Sequence, residues 1–451
     1  MNTSFETAQT APPASLLETL ARLRDSPAFA MSLGARELFH SNFLAFILES
    51  TDARLEPLQR SLREMLRFPV QPGERARCIA WRERNGLDLV LVPLQQTAEA
   101  PVSRALCIEV KIKSIPTPDQ LRRYKDKLAS GLSLDLPEEF LTDERKTLSI
   151  AAAKITCILL SPRNVLPEVD PWTWVSWQSL ASPLASWAAC GDKLSNAIMD
   201  YAGSLTDLMR VIAWVQERFD SYRTDSLSLE EALSSIQKQL YRHRLHDLGL
   251  KYFFSLLEEV LRQCCSQLAP EGWYIDSYTG YSNGASMLGI EWVRYQHSTK
   301  PSGKSDKLVS SARIGVQIQG GWYRHLVAVP SDFADLESVC SGELLDRWFT
   351  ASVRGQPLRA AKWKANPDQD KTSAPLRFNA PLRVRKQLRY PNLHAYNVKR
   401  FLYSTIDCGA TPIEDLKKQT YESMKLAAEL CQGGGPMIGL SGSFLENLAR
   451  A

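Results

Sequence analysis

Apolar residues in the first 70 positions recur at helical spacing. They predict helices at residues 16–24, 34–49 and 55–66, because side chains three or four positions apart share one helix face. The second of these segments is the most strongly apolar. Residues 1–14 are polar and Pro-containing, and they predict a disordered tail.

The pattern then changes to that of strands. Residues 78–94 are rich in strand formers and break near Asn85-Gly86, which predicts a hairpin or a bent strand. Residues 105–112 alternate as in a short buried strand, and a helix is predicted at 117–128. The continuous apolar run at 154–160 is typical of a central strand. The remaining predictions in this half are a strand at 172–177 and a helix at 195–219.

This order of elements predicts an α/β domain with a mixed sheet over residues 15–220. The rest of the chain, residues 221–451, predicts an α+β domain for substrate or partner recognition. Its predicted elements are a long helical region at 228–268, strands at 273–278, 287–295, 312–319 and 321–329, and a final helix at 413–430. A chain of 451 residues is also too long for one ordinary core, so two domains, or one domain with large additions, are expected.

Composition narrows the class of protein only slightly. The net charge of +4 neither requires nor excludes nucleic acid. The nine cysteines show no zinc-binding spacing and predict free buried thiols. Without a signal peptide or a membrane-spanning run, we expect a cytoplasmic protein with no membrane partner. No phosphate-binding glycine loop with lysine and Ser/Thr is encoded, which argues against ATP-driven translocation.

Charged residues interrupt two of the apolar strands. Alternation places Glu109, Lys111 and Lys113 on one face of the strand at 105–112. Asp88 stands alone among the apolar residues of the preceding strand, where an ionised carboxylate is costly unless it binds a cation or hydrogen-bond donors. Two carboxylates brought together can hold Mg²⁺, which prefers oxygen ligands, and a lysine beside them can orient a water or offset charge on phosphorus.

The series Asp88…Glu109-Val110-Lys111, followed by a helix, resembles the PD-(D/E)XK nuclease superfamily over about residues 30–185, although Leu87 stands where proline usually precedes the aspartate. The resemblance implies a restriction-endonuclease-like αβββαβ core. It also implies hydrolysis of phosphodiester bonds with Mg²⁺, for which Mn²⁺ can substitute. DNA is the expected substrate, because most of the superfamily cut DNA, and RNA is not excluded.

Two further residues match positions used by members of the superfamily. Glu37 corresponds to an acid on the first core helix, and Gln120 to a glutamine on the helix after the lysine strand. The resemblance implies that Asp88, Glu109 and Glu37 bind the metal. It further implies that Lys111 positions the attacking water and that Gln120 orients Lys111 or the phosphate. The string at residues 37–44 also looks like the opening of a bacterial, defence-associated subfamily, which suggests a role against phage.

Each assignment has a structural alternative. Glu109 and Lys111 fit a solvated strand face with an ion pair, and Asp88 fits a turn after Asn85-Gly86. Glu37 fits a helix N-terminus, and Gln120 fits a capping box with Thr117. A packed, hydrogen-bonded core residue is the favoured interpretation of His40, and Lys113 suits a surface or phosphate-contacting position better than a catalytic one.

A basic, aromatic-rich stretch at residues 371–406 contains no Asp or Glu. It fits either nucleic-acid binding or a solvated surface. The candidate phosphate contacts are Lys113, Arg383, Arg385, Lys386, Arg389, Lys399 and Arg400. The rival to a nuclease is a catalytically silent binding or scaffold protein on the same fold. A nuclease activated only by a partner protein, or one working as a homodimer, is a further hypothesis.

Overall fold

The computed structural model describes residues 14–35, 37–84, 86–97, 100–112, 118–141, 146–162, 171–187, 191–282, 285–298, 307–328, 348, 394–396 and 401–432. Residues 1–13 of the expected tail lie outside this set, and Ala14 begins the first helix. The chain divides into two compact units. The first unit is Met1–Gln216 with Lys238–Gly249, and the second unit is Glu217–Gln237 with Leu250–Ala451.

The first unit contains a mixed sheet of five strands in the order β1-β2-β3-β6-β7. The pairs β1–β2 and β2–β3 are antiparallel, whereas β3–β6 and β6–β7 are parallel. A separate hairpin joins β4 to β5. The strands are β1 (Glu74–Arg84), β2 (Leu87–Gln95), β3 (Ala105–Val110), β4 (Leu132–Asp135), β5 (Thr147–Ile150), β6 (Ile155–Ser161) and β7 (Trp172–Ser176).

Helices cover this sheet. The helix α3 packs against β1 and β2, and α4 packs against β1. The helices of this part of the chain are α1 (Ala14–Asp25), α2 (Pro27–Ala35), α3 (Glu37–Glu49), α4 (Glu56–Met65), α5 (Pro118–Leu128), α6 (Trp177–Ser186) and α7 (Lys193–Arg223).

One core joins α5 and the small hairpin to a face of the large sheet. It contains Val90 of β2, Cys107 of β3, Leu159 of β6 and Leu121 of α5, all at most 1% exposed. Alternation along β2 and β3 puts Asp88 and Glu109 on the same face as Val90 and Cys107. The sequence therefore directs both acids towards the side of the sheet that α5 covers.

The α/β class with a mixed sheet is confirmed, and most predicted elements lie within a few residues of their observed bounds. The helix predicted at 34–49 begins instead at Glu37, and a separate helix, α2, ends at Ala35. The β4–β5 hairpin and α6 were not predicted. The four-residue strands are too short for a periodic signal, and Pro183 stands inside α6.

The second unit contains a six-stranded sheet in the order β12-β13-β11-β10-β9-β8, and its pairs are antiparallel. The helix α10 packs against β9 and β10, and Trp292 donates from Nε1 to the Met424 carbonyl at 2.9 Å. Its strands are β8 (Tyr274–Ser282), β9 (Ala285–Ser298), β10 (Lys307–Gln319), β11 (Trp322–Ala328), β12 (His394–Tyr396) and β13 (Phe401–Asp407). The helices after α7 are α8 (Leu229–Leu240), α9 (His246–Cys265) and α10 (Ile413–Gln432).

The prediction of free thiols is confirmed for the cysteines that the structure describes. Cys78, Cys107, Cys157, Cys264, Cys265, Cys408 and Cys431 are free thiols, and all but Cys264 are buried. A hydrogen bond with Cys157, together with burial, raises the pKa of Cys107 and keeps its thiol protonated. Among the described helices, none has the length and apolar character that crossing a bilayer requires.

A buried histidine makes the second unit sensitive to acid. His325 is 1% exposed, its Nε2 lies 2.8 Å from Ser423 Oγ, and its ring stacks on Trp348 at 4.4 Å. Burial lowers the pKa of His325 to about 4, although the backbone carbonyl of Trp348 acts in the opposite direction. An unfolded histidine has a pKa near 6.5, so the folded and unfolded chains bind the same number of protons at this residue above that pH. As the pH falls from 6.5 towards 4, the unfolded chain takes up the proton first, and the free energy of unfolding decreases.

We therefore expect the free energy of unfolding to fall by about 2 kcal/mol between pH 7.5 and pH 5 from this group alone. Urea unfolding of the full chain, followed by circular dichroism at several pH values, measures the change. The variant His325→Gln should unfold more easily at pH 7.5 and should lose this part of the pH dependence. An unchanged pH dependence in the variant would assign the acid sensitivity to other groups.

Candidate active site

The antiparallel β2–β3 ladder brings Asp88 and Glu109 to neighbouring positions. Leu89 pairs with Ile108 and Val90 with Cys107, so the next residues outward are Asp88 and Glu109. The backbone N–H of Val110 donates to Asp88 Oδ2 at 2.7 Å. The Asp88 carboxylate thereby accepts a hydrogen bond from the backbone at the end of the ladder, and this bond fixes its position beside β3.

Lys111 follows directly after β3 and places its ammonium group among oxygen atoms. Its Nζ lies 2.7 Å from Glu109 Oε1 and 3.8 Å from Asp88 Oδ2. The same nitrogen lies 3.3 Å from the carbonyl oxygen of Val110. Three oxygens of different origin therefore converge on one positively charged atom.

Burial distinguishes the members of this cluster. The side chains of Glu109 and Lys111 are 1% and 8% exposed, whereas that of Asp88 is 26% exposed. Removing a carboxylate and an ammonium from water costs several kcal/mol for each ion, and the short contact between them offsets part of that cost. Because Asp88 keeps its contact with solvent, a ligand from solution can approach the cluster from its side.

The backbone of Lys111 is held on both of its polar groups. Its N–H donates to the Leu160 carbonyl of β6 at 2.8 Å, and its carbonyl accepts from Trp177 Nε1 at 2.9 Å. Trp177, the first residue of α6, is fully buried. This positioning role of Trp177 was not predicted from the sequence, because a tryptophan near a strand carries no signal of its hydrogen-bond acceptor.

His40 is a packed residue, as favoured from the sequence. It is 2% exposed, and its Nδ1 lies 3.1 Å from Tyr201 Oη. Its ring lies 5.2 Å from that of Trp177. His40 therefore packs against Trp177, the residue that binds the Lys111 carbonyl. The burial of the His40 ring argues against a role as a general base.

Two structural alternatives do not hold. Asp88 is the second residue of β2 and not a turn residue after Asn85-Gly86. Glu109 and Lys111 form an ion pair, but their burial is incompatible with a solvated strand face.

The structure describes only part of the remaining predicted set. Glu37 is the first residue of α3 and Gln120 the third of α5, and their side chains lie outside the described residues. The predicted phosphate contacts Lys113, Arg383, Arg385, Lys386, Arg389, Lys399 and Arg400 also lie outside the described residues.

The oxygen atoms around Lys111 Nζ are of the kind that Mg²⁺ prefers: two carboxylates and a backbone carbonyl. Within the described ranges, no three His, Cys, Asp or Glu side chains form a metal-binding group. A metal at this position would therefore take Asp88 and Glu109 together with the Val110 carbonyl. Water molecules suit its remaining positions, since Mg²⁺ usually keeps several.

Comparison with family models, with curated proteins and with solved structures found no match to this chain.

Proposed function

We propose that this chain is a Mg²⁺-dependent nuclease of the PD-(D/E)XK type, and that Asp88, Glu109 and Lys111 form its catalytic centre. One observation carries the proposal: the Lys111 ammonium lies in contact distance of both carboxylates and of a backbone carbonyl, in a buried position. A purely structural ion pair needs one acid. A second acid at the same ammonium, open to solvent on one side, favours a site that takes up a further cation.

In this proposal Asp88 and Glu109 hold the metal, and the Val110 carbonyl adds a neutral oxygen. When bound, Mg²⁺ supplies a Lewis acid for the phosphodiester oxygen and lowers the pKa of a coordinated water. Lys111 keeps its ammonium beside this position and there orients the attacking water or balances charge on the phosphate. The hydrogen bonds of Lys111 to Leu160 and Trp177 restrict its backbone, so the ammonium needs little reorganisation during the reaction.

The other predicted residues extend this centre. Glu37 would complete the metal ligands, and Gln120 would orient Lys111 or the phosphate. Both come from helices that follow the chain order expected of a restriction-endonuclease-like core, in which a helix precedes the hairpin and another follows the lysine strand. DNA as the substrate, and defence against phage as the biological role, rest on the resemblance in sequence alone.

The deciding experiment incubates the purified chain with supercoiled, linear and single-stranded DNA and with RNA, in Mg²⁺ or Mn²⁺, with EDTA as the control. We expect metal-dependent cleavage by the wild type and none by Asp88→Asn, which keeps the size of the side chain but removes its charge. Cleavage that persists in Asp88→Asn would contradict the assigned centre. A folded wild type that binds Mg²⁺ without cutting any of these substrates would favour the binding-protein alternative.

A further inference from the structure

A lysine of α5 lies beside the turn that leads into β2, close to the candidate centre. Lys127 Nζ lies 3.2 Å from the position that a Cβ on Gly86 would occupy. Gly86 precedes Asp88 by two residues, and two residues of chain span at most about 7 Å. The Lys127 ammonium therefore lies at the Asp88 end of the centre.

Lys127 is also on the side of the sheet to which the centre is directed. Leu128, the next residue of α5, belongs to the core that contains Cys107 of β3. Alternation along β3 puts Glu109 on the same face as Cys107. Lys127 is exposed, and the side chain of Asp88 is 26% exposed. A ligand that approaches Asp88 from solvent can therefore contact both residues on one side of the sheet.

The ring of Tyr124 restricts the position of this ammonium. Lys127 Nζ lies 5.5 Å from the centroid of the Tyr124 ring, which comes one turn earlier on α5. Tyr124 is half-buried and packs against the core, and its ring lies 6.2 Å from that of Trp172. Because the ammonium is held in place before a ligand arrives, less side-chain entropy is lost when the ligand binds.

The turn beside Lys127 is anchored as well. Arg84, the last residue of β1, donates from Nη2 to the Asp135 carboxylate of β4. Trp81 donates from Nε1 to the Asp135 carbonyl at 2.9 Å. Both the turn and the helix that bring Lys127 close to Asp88 are thus fixed by contacts of their own.

Charge indicates what this ammonium can bind. Asp88, Glu109 and Lys111 together carry two negative charges and one positive charge, and this balance is reversed when Mg²⁺ binds. A nucleic-acid strand carries a negative charge at every phosphate, so the phosphate next to the one at the metal also gains from a nearby cation. Lys127 lies at a separation from Asp88 comparable with one nucleotide step, and lysine binds phosphate as a point charge.

We propose that Lys127, held by Tyr124, binds the phosphate that neighbours the scissile one and so holds the strand across the centre. This inference rests on the proposed nuclease function, because Asp88 and Glu109 locate the scissile phosphate. It adds a substrate contact from the described part of the chain, whereas the phosphate contacts expected from the sequence lie outside it.

The test measures binding in EDTA, where no metal-dependent cleavage occurs. The full chain is titrated with a fluorescent oligothymidylate and with its duplex, and Kd is followed by anisotropy over a range of salt concentrations. Lys127→Gln should raise Kd about five- to tenfold near 0.1 M salt and should lower the slope of log Kd against log salt by about 0.7–0.9, the value of one phosphate contact. Lys127→Arg keeps the charge and should retain both values.

Lys125→Gln is the matched control. Lys125 is exposed on the same helix, but it lies two residues earlier and therefore on a different side of α5. Its variant removes the same charge and should keep the wild-type Kd and salt slope. Equal losses in Lys127→Gln and Lys125→Gln would overturn the proposal. So would an unchanged salt slope in Lys127→Gln, which a role in folding alone predicts, or a wild type that binds neither DNA.

Cleavage rates in Mg²⁺ distinguish failure of this inference from failure of the nuclease proposal. If the wild type cuts DNA, Lys127→Gln should raise KM and leave kcat near the wild-type value, and an unchanged KM would overturn the inference alone. If the wild type cuts nothing but loses DNA binding in Lys127→Gln, the nuclease proposal fails and the phosphate contact is supported.

Discussion

Lys111→Met should abolish metal-dependent cleavage while making Mg²⁺ a stronger stabiliser of the fold. The substitution keeps the length of the side chain but removes the charge that contacts Glu109 and Asp88. Loss of a group that stabilises transition-state charge lowers the rate by about 10²–10³-fold or more. Two neighbouring carboxylates without the ammonium also destabilise the fold by about 3–5 kcal/mol in the absence of metal.

The two effects are measured together, as initial cleavage rates and as Tm with and without Mg²⁺. The rise in Tm on adding Mg²⁺ should be larger in Lys111→Met than in the wild type, because the cation replaces the lost positive charge. Lys154→Ala, at an exposed position after β5, is the control and should match the wild type in both measurements. Equal Mg²⁺ stabilisation of wild type and Lys111→Met would argue that the carboxylates do not bind the metal.

A loss of stability of similar size is expected from Arg63→Ala. Arg63 is fully buried and donates to the carbonyls of Phe68 and Arg75 at 3.1 and 2.8 Å. It also donates to Glu74 Oε2 at 2.8 Å, and its guanidinium lies over the Phe68 ring at 5.1 Å. Removing one partner of a buried ion pair costs about 3–5 kcal/mol, because the other partner and its neighbours lose their compensation.

Arg60→Ala on the same helix is the matched control. Arg60 pairs with Glu56 at 2.7 Å, but the two side chains are 49% and 52% exposed, so the loss should stay below about 1 kcal/mol. Urea unfolding at pH 7 compares the two variants with the wild type. Similar losses in both variants would show that the buried network around Arg63 contributes little to stability.

The Arg63 network also explains the ionisation of Glu74. Burial acts to raise the pKa of Glu74, but hydrogen bonds from Arg104 and Arg63 outweigh it and lower the pKa below its ordinary value. The carboxylate therefore stabilises the fold above the unfolded pKa, and this contribution is lost as the pH falls through the lowered value. Nothing in the sequence marks Arg63 as different from Arg60, since both are arginines on an amphipathic helix.

The sequence predicted the fold of the first unit well because its signals are local. The Asn85-Gly86 break separates β1 from β2, and Pro118 marks the start of α5. The hairpin of β4 and β5 was missed because strands of four residues have too few positions for a pattern to emerge. The direction of β6 relative to β3 also depends on tertiary contacts that no local pattern contains.

In the site too, contacts within one strand were predicted from the sequence, whereas contacts between distant parts of the chain were not. Alternation along β3 predicted that Glu109 and Lys111 share a face, and their contact at 2.7 Å agrees with it. The hydrogen bond from Val110 to Asp88 and the support of Lys111 by Trp177 were not predictable. Both join residues whose proximity depends on strand register and helix placement.

The parallel pairing of β3 with β6 has a consequence for how the centre forms during folding. Ala105 pairs with Ile155, about fifty residues later in the chain, so this ladder is a non-local contact of high contact order. Closing such a loop costs chain entropy before the pairing repays it, and folding of that type is slow. The N–H of Lys111 binds the Leu160 carbonyl of β6. A nascent chain whose β6 is still inside the ribosome therefore already contains Asp88, Glu109 and Lys111, but it lacks the strand that fixes the Lys111 backbone. The centre is therefore completed only after the chain through Trp177 has been made, which delays its assembly until most of the first unit is available to fold.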